Sequence, residues 1–167
     1  LKAKEQAFLN RIAKHKGILF KVSKMYMDNP DDQQDLFQEI VLQLWKAYDS
    51  FKGESQFSTW MYRVAINTAI VYFKKEKRKV DQYTIASDNI KEEESDADDH
   101  ENKLKHFYKA VQQLDKIDKA IIFYQLEGYS HQEIGRNLGI SEGNARVKLN
   151  RAKEKLKAII KKQGYGF

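Results

Sequence analysis

The chain has 167 residues, 41% hydrophobic and 32% charged, with 30 Lys+Arg against 24 Asp+Glu and a formal net charge of +6; this is enough apolar content for folded cores, in one medium domain or two small ones. The absence of cysteine removes disulfide scaffolds, thiolate metal sites and cysteine nucleophiles at once. No apolar run reaches the ~20 residues a membrane span needs, and residues 1–16 lack a signal-peptide apolar core, so a cytoplasmic protein without membrane insertion is the expectation.

Leu1 in place of an initiator methionine is compatible with a trimmed chain. A single proline and little β-branched alternation lean the chain toward helix. The charge is uneven. Residues 1–80 hold 15 basic and 9 acidic residues, residues 81–101 hold 1 and 9, and residues 102–167 hold 14 and 6. Two basic blocks about an acidic strip read as two polyanion-binding modules on a tether, or equally as two solvated helical surfaces.

In chain order, residues 3–27 read as one helix with Phe8, Ile12, Leu19, Val22 and Tyr26 as apolar positions, broken at Asn29-Pro30-Asp31-Asp32. From about Asp32 to Tyr48, Leu36, Phe37, Ile40, Val41, Leu44 and Trp45 share one helical face. The opposite face holds Asp35, Gln38, Glu39, Gln43 and Lys46, with Leu42 among them. A lone leucine there is either ordinary surface or the apolar centre of a docking patch. Phe51 to Phe57 form a short loop around Gly53, and Ser58 is a candidate N-cap. The helix from Thr59 to about Lys79 has Trp60, Met61, Val64, Ala65, Thr68, Val71 and Tyr72 as its predicted buried stripe. Arg63, Asn67, Ile70 and Lys74 follow one edge. Its basic end suits either the helix dipole or phosphate.

Residues 81–101 read as an acidic flexible linker. Beyond it, helices are predicted over Asn102–Leu114 and Asp118–Glu127, the second closed by Gly128. Ser130 and Glu133 form a capping-box signature that opens a short helix to Leu138. Gly139-Ile140-Ser141 is a tight turn, and the last helix runs from Glu142 to about Lys162. Short helix, glycine turn and second helix make a helix-turn-helix. Its core would be Ile134, Leu138, Ile140, Ala145 and Leu149, leaving Arg146, Val147, Asn150, Arg151 and Glu154 outward, where such a helix meets the major groove.

These residues resemble the sigma-70 family, extracytoplasmic-function (ECF) subgroup, over nearly the whole chain. Asp35-Leu36-Phe37-Gln38-Glu39-Ile40 resembles the region 2 helix that docks on the polymerase β′ subunit. Phe51 through Ala69, with Phe51-Lys52-Gly53-Glu54-Ser55-Gln56-Phe57 and Trp60-Met61-Tyr62-Arg63, resembles the ECF loop and helix that melt and read the −10 element. The helix-turn-helix resembles region 4, which reads the −35 element.

The resemblance implies an all-α protein of two small helical domains: region 2 over 1–80, an acidic linker over 81–101, and region 4 over 102–167. It implies a non-enzymatic subunit with no cofactor or metal. Its partners would be core RNA polymerase (β′ and β subunits), promoter DNA and an anti-sigma factor. Asp35, Gln38, Glu39 and Leu42 would face polymerase. Phe51, Lys52, Gly53 and Phe57 would surround a base flipped from the single strand, with Arg63, Asn67 and Lys74 along the helix and Trp60 packed under the loop. Arg146, Val147, Lys148, Asn150 and Arg151 would lie at the −35 element, Arg146 reading a base and Lys148 holding phosphate. Two departures stand out. Asp115 replaces the proline that often follows the leucine aligned with Leu114, and Gly143-Asn144-Ala145-Arg146-Val147-Lys148 departs from the common Gly-Thr-Val-Arg-Ser-Arg.

Two other readings compete. A plain helix-turn-helix regulator would bind duplex DNA without polymerase. A metal-dependent nuclease would use Asp35 and Glu39, which share a helix face, but no histidine joins them, since His15, His100, His106 and His131 are scattered.

Overall fold

The computed structural model describes residues 1–82 and 99–164, without the side chains of residues 74 and 76–82. Among the described residues the regular structure is entirely helical. The helices are α1 (Lys2–Lys14), α2 (Lys16–Tyr26), α3 (Pro30–Ala47), α4 (Phe57–Gln82), α5 (Asp99–Gln112), α6 (Lys116–Leu126), α7 (His131–Leu138) and α8 (Glu142–Lys162), with a 3-10 turn over Tyr48–Ser50. Residues 83–98 of the expected linker lie outside the described residues; 81–82 and 99–101 at its ends are helical.

The predicted first helix is two. His15, at φ −119 and ψ 19, separates α1 from α2. Phe8 is drawn to the end of α3, where it meets Trp45 and Tyr48 edge-on, both at 5.1 Å, while Leu19, Val22 and Tyr26 are buried on α2. Gly17, just past the break, weakens a continuous helix by about 1 kcal/mol relative to alanine. α3 starts two residues before the expected Asp32, because Pro30 is itself the first helical residue, where its missing N–H costs nothing. Asn29 caps α3, its Oδ1 accepting from the Asp32 amide at 2.8 Å.

α4 starts at Phe57, so Ser58 sits inside the first turn and is not the cap. The Phe57 ring packs against Phe51 and Trp60, both at 5.4 Å, which draws the residue into the helix. The buried face also differs from the predicted stripe. Met61, Tyr62, Ala65, Ile66 and Ala69 are buried, whereas Val71 is 55% exposed and Trp60, Val64, Thr68 and Tyr72 are half-buried. The reason is tertiary: α4 packs against α2 and α3 and also against α6, with Phe123 5.3 Å from Tyr62. Covering a helix from two sides rotates the buried sector away from the one inferred from a single neighbour.

In the second half, α6 begins two residues before the predicted Asp118. Asp115 is its N-cap, accepting from the amides of Ile117 at 3.0 Å and Asp118 at 2.8 Å. Asp118 is instead buried and pairs with Lys155 of α8 at 2.7 Å. Gly128 takes the expected left-handed conformation, φ 84. Both halves of the Ser130–Glu133 capping box form, Gly139 is left-handed at φ 71, and Ser141 caps α8 through the Asn144 amide at 3.1 Å.

The two halves are not merely tethered. Tyr26 donates to the Lys116 carbonyl at 2.7 Å, and Gln112 Nε2 donates to the carbonyls of Lys24 and Met27 at 2.8 and 3.0 Å. Tyr62 donates to Glu127 at 2.7 Å, and Lys21 pairs with the same carboxylate at 3.2 Å. Between the halves Lys119 is 1% exposed, its ammonium 5.3 Å from the Tyr26 ring and 4.4 Å from that of Phe73. Burial lowers its pKa to about 8 from 10.5, against the opposing pull of Asp28 and Asp115.

Candidate nucleic-acid interface

α7 and α8 pack through Ile134, Ala145 and Leu149, all buried, with Leu138 and Ile140 against them. The predicted helix-turn-helix core therefore forms as read. On the opposite side of α8, Arg146, Asn150 and Arg151 are exposed and Val147 is 46% exposed. Arg146 lies 3.7 Å from Glu142, one turn back. Exposed pairs of this kind are worth about 0.3–0.5 kcal/mol, little resistance to a base or phosphate taking the guanidinium. Lys148 departs from this set. It is half-buried and shares a cleft with Arg151, Lys155 and the start of α6, beside rather than on the outward face.

On α4, Arg63 and Asn67 are exposed, and the exposed line continues through Val71 and Lys75 at four-residue spacing. Ile70 is half-buried, and the Lys74 side chain lies outside the described residues. A cationic, amide-bearing edge supplies donors and acceptors for a base and charge for phosphate. In the loop, Lys52 and Gly53 are exposed, Gly53 being left-handed at φ 74. Phe51 and Phe57 turn inward on each other, and Trp60 packs beneath them, 5.4 Å from both rings.

On α3, Asp35, Gln38 and Leu42 are exposed on one face, Leu42 at 44%. Glu39 is half-buried and accepts from Gln43 Nε2 at 2.8 Å. The structure thus brings three of the four predicted docking residues together and turns the fourth toward α4. Among the described residues no three His, Cys, Asp or Glu side chains gather where they could hold a metal, and no helix is long and apolar enough to cross a membrane.

Two structural residues were missed in the sequence. The Arg11 guanidinium sits over Tyr48, Phe51 and Phe57 at 5.9, 5.7 and 5.3 Å, which ties α1 to the loop by cation–π contact. No local pattern announces it. Gly135 lies where α7 meets the turn, and a Cβ there would stand 2.7 Å from the Ile140 carbonyl oxygen. A glycine inside a helix was the available signal.

The family model for Sigma-70 region 2 matches residues 11–79, and that for Sigma-70, region 4 matches residues 105–156. The ECF RNA polymerase sigma-E factor of Haemophilus influenzae is 28% identical over 142 residues, covering 78% of this chain and 75% of the relative. The factor of the same name from Escherichia coli K12 is 30% identical over 135 residues, 74% of this chain and 71% of the relative. Among solved structures, the sigma factor RpoE of Bartonella quintana, determined in complex with the anti-sigma factor NepR, aligns with a TM-score of 0.70 at 23% identity, over 93% of this chain and 98% of that one. Two sigma regions matched in order on one chain, together with an ECF relative 30% identical over 74% of this chain, make this protein a member of the sigma-70 family, within its ECF subgroup.

Proposed function

We propose that this protein binds core RNA polymerase through the outer face of α3, with Asp35, Gln38 and Leu42 against the β′ subunit and Glu39 at its margin, and directs polymerase to promoters through α4 and α8. The division proposed is residues 1–80 for docking and −10 melting, 81–101 as a linker, and 102–167 for −35 recognition and contact with the β subunit. The observation that carries the reading is the pairing, on one chain, of the exposed Arg63–Asn67 edge on α4 with an α8 whose exposed face holds Arg146, Val147, Asn150 and Arg151. Neither needs bound metal or nucleotide. Melting would be driven by binding the single strand, which must offset a few kcal/mol for one flipped base.

Lys52 and Gly53 at the loop tip, with Phe51 and Phe57 below, would form the base pocket. Lys74 would add phosphate contact at the end of the edge. On α8, Arg146 would read a base, Arg151 a base or phosphate, and Lys148, from its cleft, phosphate. The protein acts in this reading as a non-enzymatic subunit in the cytoplasm, held inactive by an anti-sigma factor, the kind of partner present in the solved Bartonella complex. Transcription by core polymerase with and without this protein, with start sites mapped over its genome, tests the proposal. New start sites sharing −10 and −35 sequences are expected. A protein that core polymerase does not retain, yet that binds duplex DNA, would instead be a plain helix-turn-helix regulator.

A further inference from the structure

α3 and α4 leave an open groove of ≈ 440 Å³ between them. Glu39 and Gln43 form one wall and Asn67, Val71, Tyr72 and Lys75 the other. Three features set it apart from ordinary helix-packing relief. Two amides, Gln43 and Asn67, line opposite walls, and each can offer a donor or an acceptor to the edge of its own planar ligand. Val71, which the helix would be expected to bury, is 55% exposed, and with Tyr72 it supplies apolar surface of the kind bases rest on. Lys75, exposed and two turns beyond Asn67, supplies a cation for phosphate.

The negative charge sits on the other wall. Glu39 is half-buried and holds Gln43 Nε2 at 2.8 Å. A carboxylate beside an amide disfavours phosphate on that wall and favours a ligand that brings a donor, such as an exocyclic amine. A phosphate on the Lys75 wall and an amine on the Glu39 wall describe one nucleotide lying across the groove.

We propose that this groove binds one nucleobase of single-stranded DNA bearing an exocyclic amine, that is adenine, cytosine or guanine and not thymine. Gln43 reads its edge, at a position next to the one met by Asn67. The inference rests on the −10 role proposed above for α4 and extends that role onto α3. Asp35, Gln38 and Leu42 remain on the outer face, so docking and base reading use different sides of α3.

The test is a set of fluorescent single-stranded −10 oligonucleotides, each with one abasic position, bound to the complex of core polymerase with full-length wild-type, Gln43→Ala, Val71→Glu or Asn67→Ala protein. For the wild type, one abasic position is expected to weaken binding about tenfold, within the range for one lost base-edge pair. At that position, and there alone, Gln43→Ala and Val71→Glu lose the abasic effect, while Asn67→Ala loses it at a neighbouring one. Abasic effects that persist unchanged in Gln43→Ala at every position overturn the groove site and leave the sigma function standing, provided Asn67→Ala still shows its own position. Gln43→Ala weakening the affinity for core polymerase without DNA assigns the groove to a protein partner and also overturns the inference. Failure of the wild-type complex to bind any of these oligonucleotides removes the parent function and the groove site together.

Discussion

The close approach at Gly135 makes a sharp demand on one residue. In Gly135→Ala the new methyl would stand 2.7 Å from the Ile140 carbonyl oxygen and 3.3 Å from the carbonyl carbon of Ser141. Ordinary contact for a Cβ begins at 3.4 Å. The turn must therefore retreat by several tenths of an ångström, and it is poorly placed to do so. Ile140 N donates to the Gly135 carbonyl at 2.9 Å, and Ser141, the next residue, caps α8. Alanine's higher helix propensity favours the variant by about 1 kcal/mol. Overpacking costs about 1–3 kcal/mol, and disturbing the cap about 1 kcal/mol more. The net expectation is a loss of about 1–3 kcal/mol, read as a lower urea midpoint, with weaker −35 duplex binding because α8 shifts on α7. Gly143→Ala is the control. Nothing lies within 4 Å of its Cβ, so it should be neutral or stabilising by up to about 1 kcal/mol. A Gly135→Ala protein as stable as the wild type would refute the close approach and the argument with it.

Lys119→Met should stabilise the protein at pH 7 by about 1–3 kcal/mol, as hydrophobic replacement of a buried charge often does. The folded state holds Lys119 near pKa 8 against 10.5, so between those values the unfolded chain binds more protons and wild-type stability rises with pH. The variant lacks that slope, and its advantage should shrink from pH 8 to 10 in urea midpoints. Tyr26, Tyr62 and Tyr124 are all pushed upward by burial, which keeps them out of that window. Tyr124→Phe removes a buried hydroxyl that has no partner among the described residues, and should raise stability by up to about 1 kcal/mol in thermal unfolding. Asp115→Ala strips two capping bonds from α6 and should lower stability by about 1 kcal/mol in the same measurement.

Much of the chain could be read before any packing was known. The caps at Ser130 and Ser141 and the left-handed glycines at Gly128 and Gly139 form as expected, because each depends on groups within four residues. The helix-turn-helix core follows from the same short range, since its two helices are joined by one tight turn. Asp115, in the family's proline position, was an equally local signal that the expected start at Asp118 passed over: its carboxylate accepts two first-turn amides and caps the helix.

The early starts of α3 and α6 were set locally, by the caps at Asn29 and Asp115, but the other differences came from neighbours distant in sequence. The break at His15 depends on Trp45 and Tyr48, and the early start of α4 on rings at both ends of its loop. The exposure of Val71 depends on α6 occupying the other flank of α4. Turn and cap chemistry is local and survives in any fold that contains it. Which side of a helix stays in water is a property of what packs against it, and for α4 those partners come from both halves of the chain.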